Sequence, residues 1–435
     1  MIYWALLLHF YQPPTQIHSV LNRITEESYR PLLDVLENNS HARVTVNING
    51  VLTEMLMEHG KSDVVSRLAS LAERGQIEFT GSAKYHAVLP LIPQEEILKQ
   101  IVDNYHTNRK FIGSSYNPRG FFPPEMCYSR NIVEPILNTG YEWITLSGVA
   151  CPVDWPMNTF HYVNTKSGKL ITFFRDDVLS NRISFHEIDV PGFIKHLKVF
   201  AGNRDQIYIF TAMDAETFGH HIKHWERDFL GNLYSELRCE TESSTHSPVH
   251  NISSKKAIQE VTIEPEQTIV PVTISELLSL FKSGAAISPL MSSWSTTAED
   301  LKANNPFPLW NDPGNPVHRL LWEHLNLAIE MTDKANHIAE TELCRHFASI
   351  ARETLDAALH SDQFWWASKR PNWDINMINR GLMLQQECLL NAYYAIKNTN
   401  KLSAQEKQEY RYRRLAAGDI VNRIQAILFN GDAVN

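Results

Sequence analysis

The chain has 435 residues, with 40 basic and 49 acidic side chains and a formal net charge of −9, which gives no electrostatic basis for binding nucleic acid or an anionic membrane. Its 43% hydrophobic and 20% charged content is ordinary for a globular protein and leaves room for one large domain and a smaller one. Five cysteines without C-x-x-C spacing, an N-terminus without a basic n-region, and no apolar run near the roughly 20 residues of a membrane span predict a soluble cytoplasmic protein without a disulfide framework or zinc ribbon.

Residues 3–8 form an apolar run that stops at His9, Tyr11, Gln12, Pro13 and Pro14, as a buried parallel strand does when prolines forbid its continuation. A helix over 25–37, a strand over 42–48, helices over 51–58 and 64–74, and a strand over 76–80 follow. A long helix over 94–111 is opened by Pro93 in its first turn. A short strand at 120–122 closes in Pro123, Pro124 and Glu125. Then come a helix over 130–137, a strand over 142–146, a hairpin of 160–163 with 170–174, and a helix over 190–200. Residues 207–210 form a β-branched and aromatic strand that ends in Asp214, Glu216, His220, His221 and His224. Strands alternating with helices imply a parallel sheet of right-handed crossovers, and about seven core strands point to a closed or nearly closed barrel.

Residues 239–266 lose periodicity and read as a surface insertion, and 269–274 read as a last strand. A Trp-, Pro- and Asn-rich loop runs over 292–316, with Trp294, Phe307 and Trp310 as its bulky anchors. From Asn315 and Pro316, a cap followed by a first-turn proline, the pattern is helical to the end. The last helix, over 404–429, opens with the capping box of Ser403 and Glu406.

Chemistry in α/β barrels gathers where strands end, so these strand ends are the candidate site. A helix N-cap accounts for Asp214 alone and not for five titratable groups in one short stretch. Glu125 follows two prolines that preset its backbone. A nucleophilic carboxylate there and an acid/base carboxyl at Asp214 form the pair that retaining glycosidases need, and their mutual repulsion would keep one proton available. His9, Tyr11, Gln12, Glu78 and His86 lie around the first and third strands, and His, Tyr and Gln suit sugar hydroxyls. As metal ligands, His9, Asp214, Glu216, His220, His221 and His224 form an alternative set, with His220 and His224 on one helical face. That set suits a metal-dependent carbohydrate deacetylase, although no H-E-x-x-H accompanies it.

Taken together, these segments resemble glycoside hydrolase family 57, the retaining α-glucan amylases and 4-α-glucanotransferases. The family's five blocks match His9, Gln12 and Pro13 with Tyr11 in place of a second histidine; Gly75, Ile77 and Glu78 with His86; Phe122 to Glu125; Asp214, Glu216 and Gly219; and Ser361 and Asp362 with Gln363 in place of a tryptophan. The resemblance implies a distorted, TIM-like (β/α)7 barrel followed by a C-terminal α-helical bundle, and no cofactor or metal. The expected organisation is a catalytic barrel over 1–290, a loop facing the active site over 291–315, and the bundle over 316–435. Glu125 would be the nucleophile and Asp214 the acid/base. His9, Tyr11, Gln12, Glu78, His86, Glu216, His220 and His221 would form a polar lining, with Trp294, Trp310, Asp362 and Trp365 as sugar contacts or lid. The substrate implied is an α-glucan or malto-oligosaccharide. Tyr11 and Gln363, taken as substrate-contacting positions, leave a catalytically silent glucan-binding relative as the other alternative. No residue pattern sets an oligomeric state.

Overall fold

The computed structural model describes residues 1–245, 267–370 and 373–432. Its strands are β1 (Ile2–Phe10), β2 (Val44–Ile48), β3 (Ile77–Gly81), β4 (Gly120–Phe121), β5 (Trp143–Ser147), β6 (Thr159–Asn164), β7 (Lys169–Arg175), β8 (Ile207–Asp214), β9 (Ile269–Val272) and β10 (Lys282–Ala286). They run in the order β10-β6-β7-β5-β4-β3-β2-β1-β8, with β9 also on β1. From β7 to β8 every ladder in that order is parallel, and β6 joins β7 as the antiparallel hairpin read from the sequence.

The strand period of two sorts each strand into an inner and an outer face. On β1, Tyr3, Ala5, Leu7 and His9 share a face; on β8, Tyr208, Phe210, Ala212 and Asp214 do the same. The register pairs Ala5 with Phe210, Leu7 with Ala212, and His9 with Asp214. Ala5, Leu7, Trp143, Phe173, Tyr208, Phe210 and Ala212 pack as one buried cluster that fills the lower barrel. One strand repeat higher, the same face carries His9 and Asp214. Interior chemistry therefore changes from apolar to ionisable at the carboxyl ends of the strands.

Several elements differ from the sequence reading. β8 runs through Thr211, Ala212 and Met213 to Asp214, because pairing with β1 extends it beyond its β-branched residues. The helix expected from 25 starts at His18 and passes through a π-helical turn, Thr25–Tyr29, into Arg30–Asn38. Pro93 is the cap of Gln94–Ile112 and not its first residue. The helices Asp177–Ser184 and Ile274–Leu280 were not expected, nor was β10. Of the expected insertion at 239–266, the backbone of 239–245 continues the helix Asn232–Thr245, and 246–266 lie outside the described residues.

The C-terminal region consists of Pro316–Ile338, Glu342–Ala358, Ile375–Asn398 and Ala404–Asp432, with the short helix Asp362–Trp365 between the second and third. Asn315 caps the first through bonds from the backbone N–H groups of Val317 (2.9 Å) and His318 (3.3 Å), and Ser403 with Glu406 closes its capping box on the last. Leu320, Leu325, Leu355 and Leu389 of these helices belong to the same buried cluster as Phe121, Ile144 and Leu146 of the barrel. Among the described residues no helix is long and apolar enough to cross a membrane.

Candidate active site

A cleft of about 540 Å³ opens at the carboxyl ends of the strands, between the barrel and the turn that precedes Asp362. Among the residues lining it are His9, Tyr11, Gln12, His86, Glu125, Asp214, Glu216, His221, Trp294, Asp362 and Trp365. It thus joins carboxylates from the ends of β4 and β8 that are 89 positions apart in the chain.

Glu125 sits in a 3-10 turn after Pro123 and Pro124 with φ +59°, a left-handed conformation that costs a non-glycine residue of order 1–3 kcal/mol. Met126 and His86 share it, with φ +48° and +57°. The loop at 292–294 holds this turn from the side. Tyr128 and Ser292 exchange backbone hydrogen bonds, Trp294 N–H donates to the Glu125 carbonyl (3.1 Å), and the Trp294 indole N–H donates to Glu125 Oε2 (2.9 Å). On the other oxygen, the Ser361 hydroxyl lies 3.4 Å from Oε1 and also contacts His86 Nδ1 at 2.9 Å. Burial, then the charges of Asp214 and Asp362, push the Glu125 carboxyl well above the usual glutamate range; the Trp294 and Ser361 donors oppose the shift.

Asp214 is the last residue of β8, and its side chain makes no helix-capping bond, so the bland N-cap reading does not describe it. His9, paired with it in register, shares a 2.6 Å hydrogen bond with Asn47, and burial lowers its pKa. Glu216, two residues after Asp214, is buried, and its Oε1 accepts from the Tyr29 hydroxyl and from Gln12 Nε2 (2.8 Å). Burial first, and Asp214 second, push its carboxyl up to about 8. Gly219, the glycine of the fourth block, has φ +103°, and a Cβ there would lie 1.9 Å from the Glu27 carbonyl oxygen. Tyr11 stacks on His86 with ring centroids 3.9 Å apart and donates to Asp362 Oδ2 (2.5 Å).

Four expected site residues lie elsewhere. Glu78 is one strand repeat below the Thr80 layer, where it accepts from the Thr45 hydroxyl and Ser275 N–H, both at 2.9 Å. His220 points away to Glu27 (2.6 Å). Trp310 is fully buried in the core shared with the helices, and its carbonyl accepts from Trp322 Nε1. Gln363 is buried as well, bonded to the carbonyls of Ala358 (2.6 Å) and His360 (3.1 Å) and to Gln385 (2.6 Å), so that departure touches helix packing and not substrate. His224 adopts φ +63° in an irregular segment and shares no helical face with His220. His220 and His224 thus drop out of the alternative ligand set, and among the described residues no group of three or more His, Cys, Asp or Glu side chains is placed to hold a metal ion.

The cleft also contains residues the sequence reading passed over. Arg175 is the last residue of β7, Asn181 and Phe185 lie on and just after the unexpected helix that follows it, and Trp366 and Met377 come from the helical region. A basic residue closing the apolar run of β7 was the one visible signal for Arg175.

The architecture is a parallel barrel with a carboxylate-lined cleft at its strand ends. The chain belongs to glycosyl hydrolase family 57, whose model matches residues 7–270. It is 27% identical over 241 residues to an alpha-amylase of Pyrococcus abyssi, covering 53% of this chain and 36% of that protein. It is 26% identical over 255 residues to a 4-alpha-glucanotransferase of Thermococcus kodakarensis, covering 55% and 37%. The chain thus matches little more than a third of the length of these curated relatives. Among solved structures, the fold is similar to a GH57-type branching enzyme from Pyrococcus horikoshii, with TM-score 0.69, 15% identity, and coverage of 97% of this chain and 95% of that one.

Proposed function

We propose that the protein is a retaining glycosidase or transglycosidase acting on α-glucan chains. One observation carries this reading: Glu125 and Asp214, from distant strand ends, line a single cleft closely enough for the Asp214 charge to act on Glu125. Family membership and the alpha-amylase and 4-alpha-glucanotransferase named above support the same substrate class.

In the first half-reaction a Glu125 oxygen attacks the anomeric carbon as the glycosidic bond breaks, and Asp214 gives its proton to the departing oxygen. In the second, Asp214 takes a proton from water or from a sugar hydroxyl, which attacks the same carbon and releases Glu125. The nucleophile must be ionised to attack, and the Trp294 and Ser361 donors stabilise that form against burial and the neighbouring carboxylates. Asp362, fixed by Tyr11, and the rings of Trp294 and Trp365 supply polar and stacking contacts for sugar.

The test is product analysis from malto-oligosaccharides combined with trapping by an activated fluorinated glucosyl donor. Shorter or redistributed chains and a label on Glu125 are expected. A Glu125→Ala variant that still turns over the substrate would end the assignment.

A further inference from the structure

The barrel has a seam. β7 pairs with β5 and β6, β8 pairs with β1, and among the described residues no β-ladder joins β7 to β8. The backbone groups at the top of this gap are met by other means. Asp176 N–H donates to the Phe210 carbonyl (2.7 Å), Ala212 N–H donates to the Ser180 hydroxyl (3.2 Å), and Arg175 Nε donates to the Ala212 carbonyl (2.8 Å). The other two Arg175 nitrogens bond Asp177 Oδ1 (2.8 Å) and Asn181 Oδ1 (2.9 Å), so the guanidinium fork is held at three points. Asp177 is in turn anchored to β5 by the Ser147 hydroxyl (2.8 Å).

Arg175 is 4% exposed, yet it borders the cleft. Its guanidinium lies 5.8 Å from the centroid of the Trp294 ring, within cation–π range, and the Trp294 indole N–H holds Glu125. On its other side, Ala212 is two residues before Asp214 on the same inward face of β8. Arg175 is thus hydrogen-bonded to the strand that carries Asp214, while toward Glu125 it reaches only the ring of Trp294.

We propose that Arg175 is a positioning residue that clasps the β7–β8 seam and thereby sets the placement of Asp214 relative to Glu125. The inference rests on the two-carboxylate reading above. A sub-ångström change in acid placement matters because the proton must reach the leaving oxygen while the nucleophile attacks. A merely structural clasp would affect all substrates equally, whereas a misplaced Asp214 penalises only leaving groups that need its proton.

Arg175→Lys keeps the cation and loses the fork; Arg175→Met loses both. Each is compared with wild type on malto-oligosaccharide and on α-maltosyl fluoride. With the fluoride, the Glu125–carbon bond forms as the carbon–fluorine bond breaks, and fluoride departs with its electron pair and needs no proton from Asp214. Malto-oligosaccharide turnover is expected to fall roughly 10²- to 10⁴-fold, while first-turnover fluoride release falls less than about tenfold. Equal losses on both substrates, or no loss on either, overturn the clasp. If Arg175→Met fails to fold by circular dichroism, Arg175→Lys and Asn181→Ala decide, and the same leaving-group split is required of them. A wild-type enzyme inert on both substrates sinks the glycosidase reading and the clasp with it.

Discussion

Replacing Trp294 by phenylalanine removes one N–H from the site while keeping a ring against His9 and Phe122, whose centroids lie 6.0 and 5.8 Å from that of Trp294. The lost bond is the 2.9 Å donation to Glu125 Oε2, which stabilises the carboxylate and not the carboxylic acid. A hydrogen bond to a charged group contributes about 1.5–3 kcal/mol. At about 1.36 kcal/mol per pH unit, its loss raises the Glu125 pKa by roughly one to two units. The direction adds to the elevation that burial, Asp214 and Asp362 already impose. Because the ionised form attacks, the acidic limb of kcat/KM rises through the Glu125 pKa of the free enzyme. The expected result is a limb displaced to higher pH, with an activity loss on the acidic side of roughly 10- to 100-fold that shrinks as pH rises. Initial rates on a malto-oligosaccharide from about pH 4, the ordinary carboxyl range, up to about pH 9 would measure it. A stationary limb, or one displaced to lower pH, refutes the reasoning.

Asp362→Asn removes one of the two charges raising Glu125, so the same limb should move to lower pH, read from the same profile. Glu216 is pushed up to about 8, so its contribution to stability is fully present below the unfolded value of 4.5 and is lost as pH rises through 8. Glu216→Gln should therefore gain stability over wild type across that window, by about 1.4 kcal/mol per pH unit at most, and urea unfolding at about pH 5 and about pH 8, near the two ends of that window, would show whether the difference grows with pH. Asp214→Ala should lower malto-oligosaccharide turnover roughly 10²- to 10⁴-fold, and on α-maltosyl fluoride, whose departure needs no proton, added azide should restore part of the steady-state rate by attacking the glycosyl-enzyme in place of water; an unrescued variant on the fluoride with native thermal unfolding contradicts the acid/base role. Gly381→Ala should destabilise by about 1–3 kcal/mol, since a Cβ there would lie 2.5 Å from the side chain of buried Gln363, and denaturant midpoints report it.

Much of the barrel was legible because apolar runs such as 3–8 and 207–210 bury both faces, and the helical region because caps such as Asn315–Pro316 and Ser403–Glu406 mark its starts. That Glu125 and Asp214 line one cleft was legible through the rule that strand ends converge. Depth along a strand was not. Glu78 lies one strand repeat, about 6.7 Å, below the cleft layer, and no local pattern encodes which residue reaches the rim. Trp310 resembles a sugar platform by composition, yet the Pro316–Ile338 helix covers it. Asn181 and Phe185 were missed because Asp177–Ser184 is barely two turns long and opens on Asp176 and Asp177, which read as loop, and Arg175 because the hairpin strand was read only as far as 174.

Phe121 and Ile144 on the barrel wall are buried in one continuous mass with Leu320, Leu355 and Leu389. Swinging the C-terminal helices outward would tear that mass open and wet it, at about 25 cal/mol for every Å² of apolar area exposed. A hinged cover is thus an uneconomical way to admit a polymer here. The cleft bordered by Phe185 and Trp366 therefore keeps a width set by how the barrel wall and the helices are packed together.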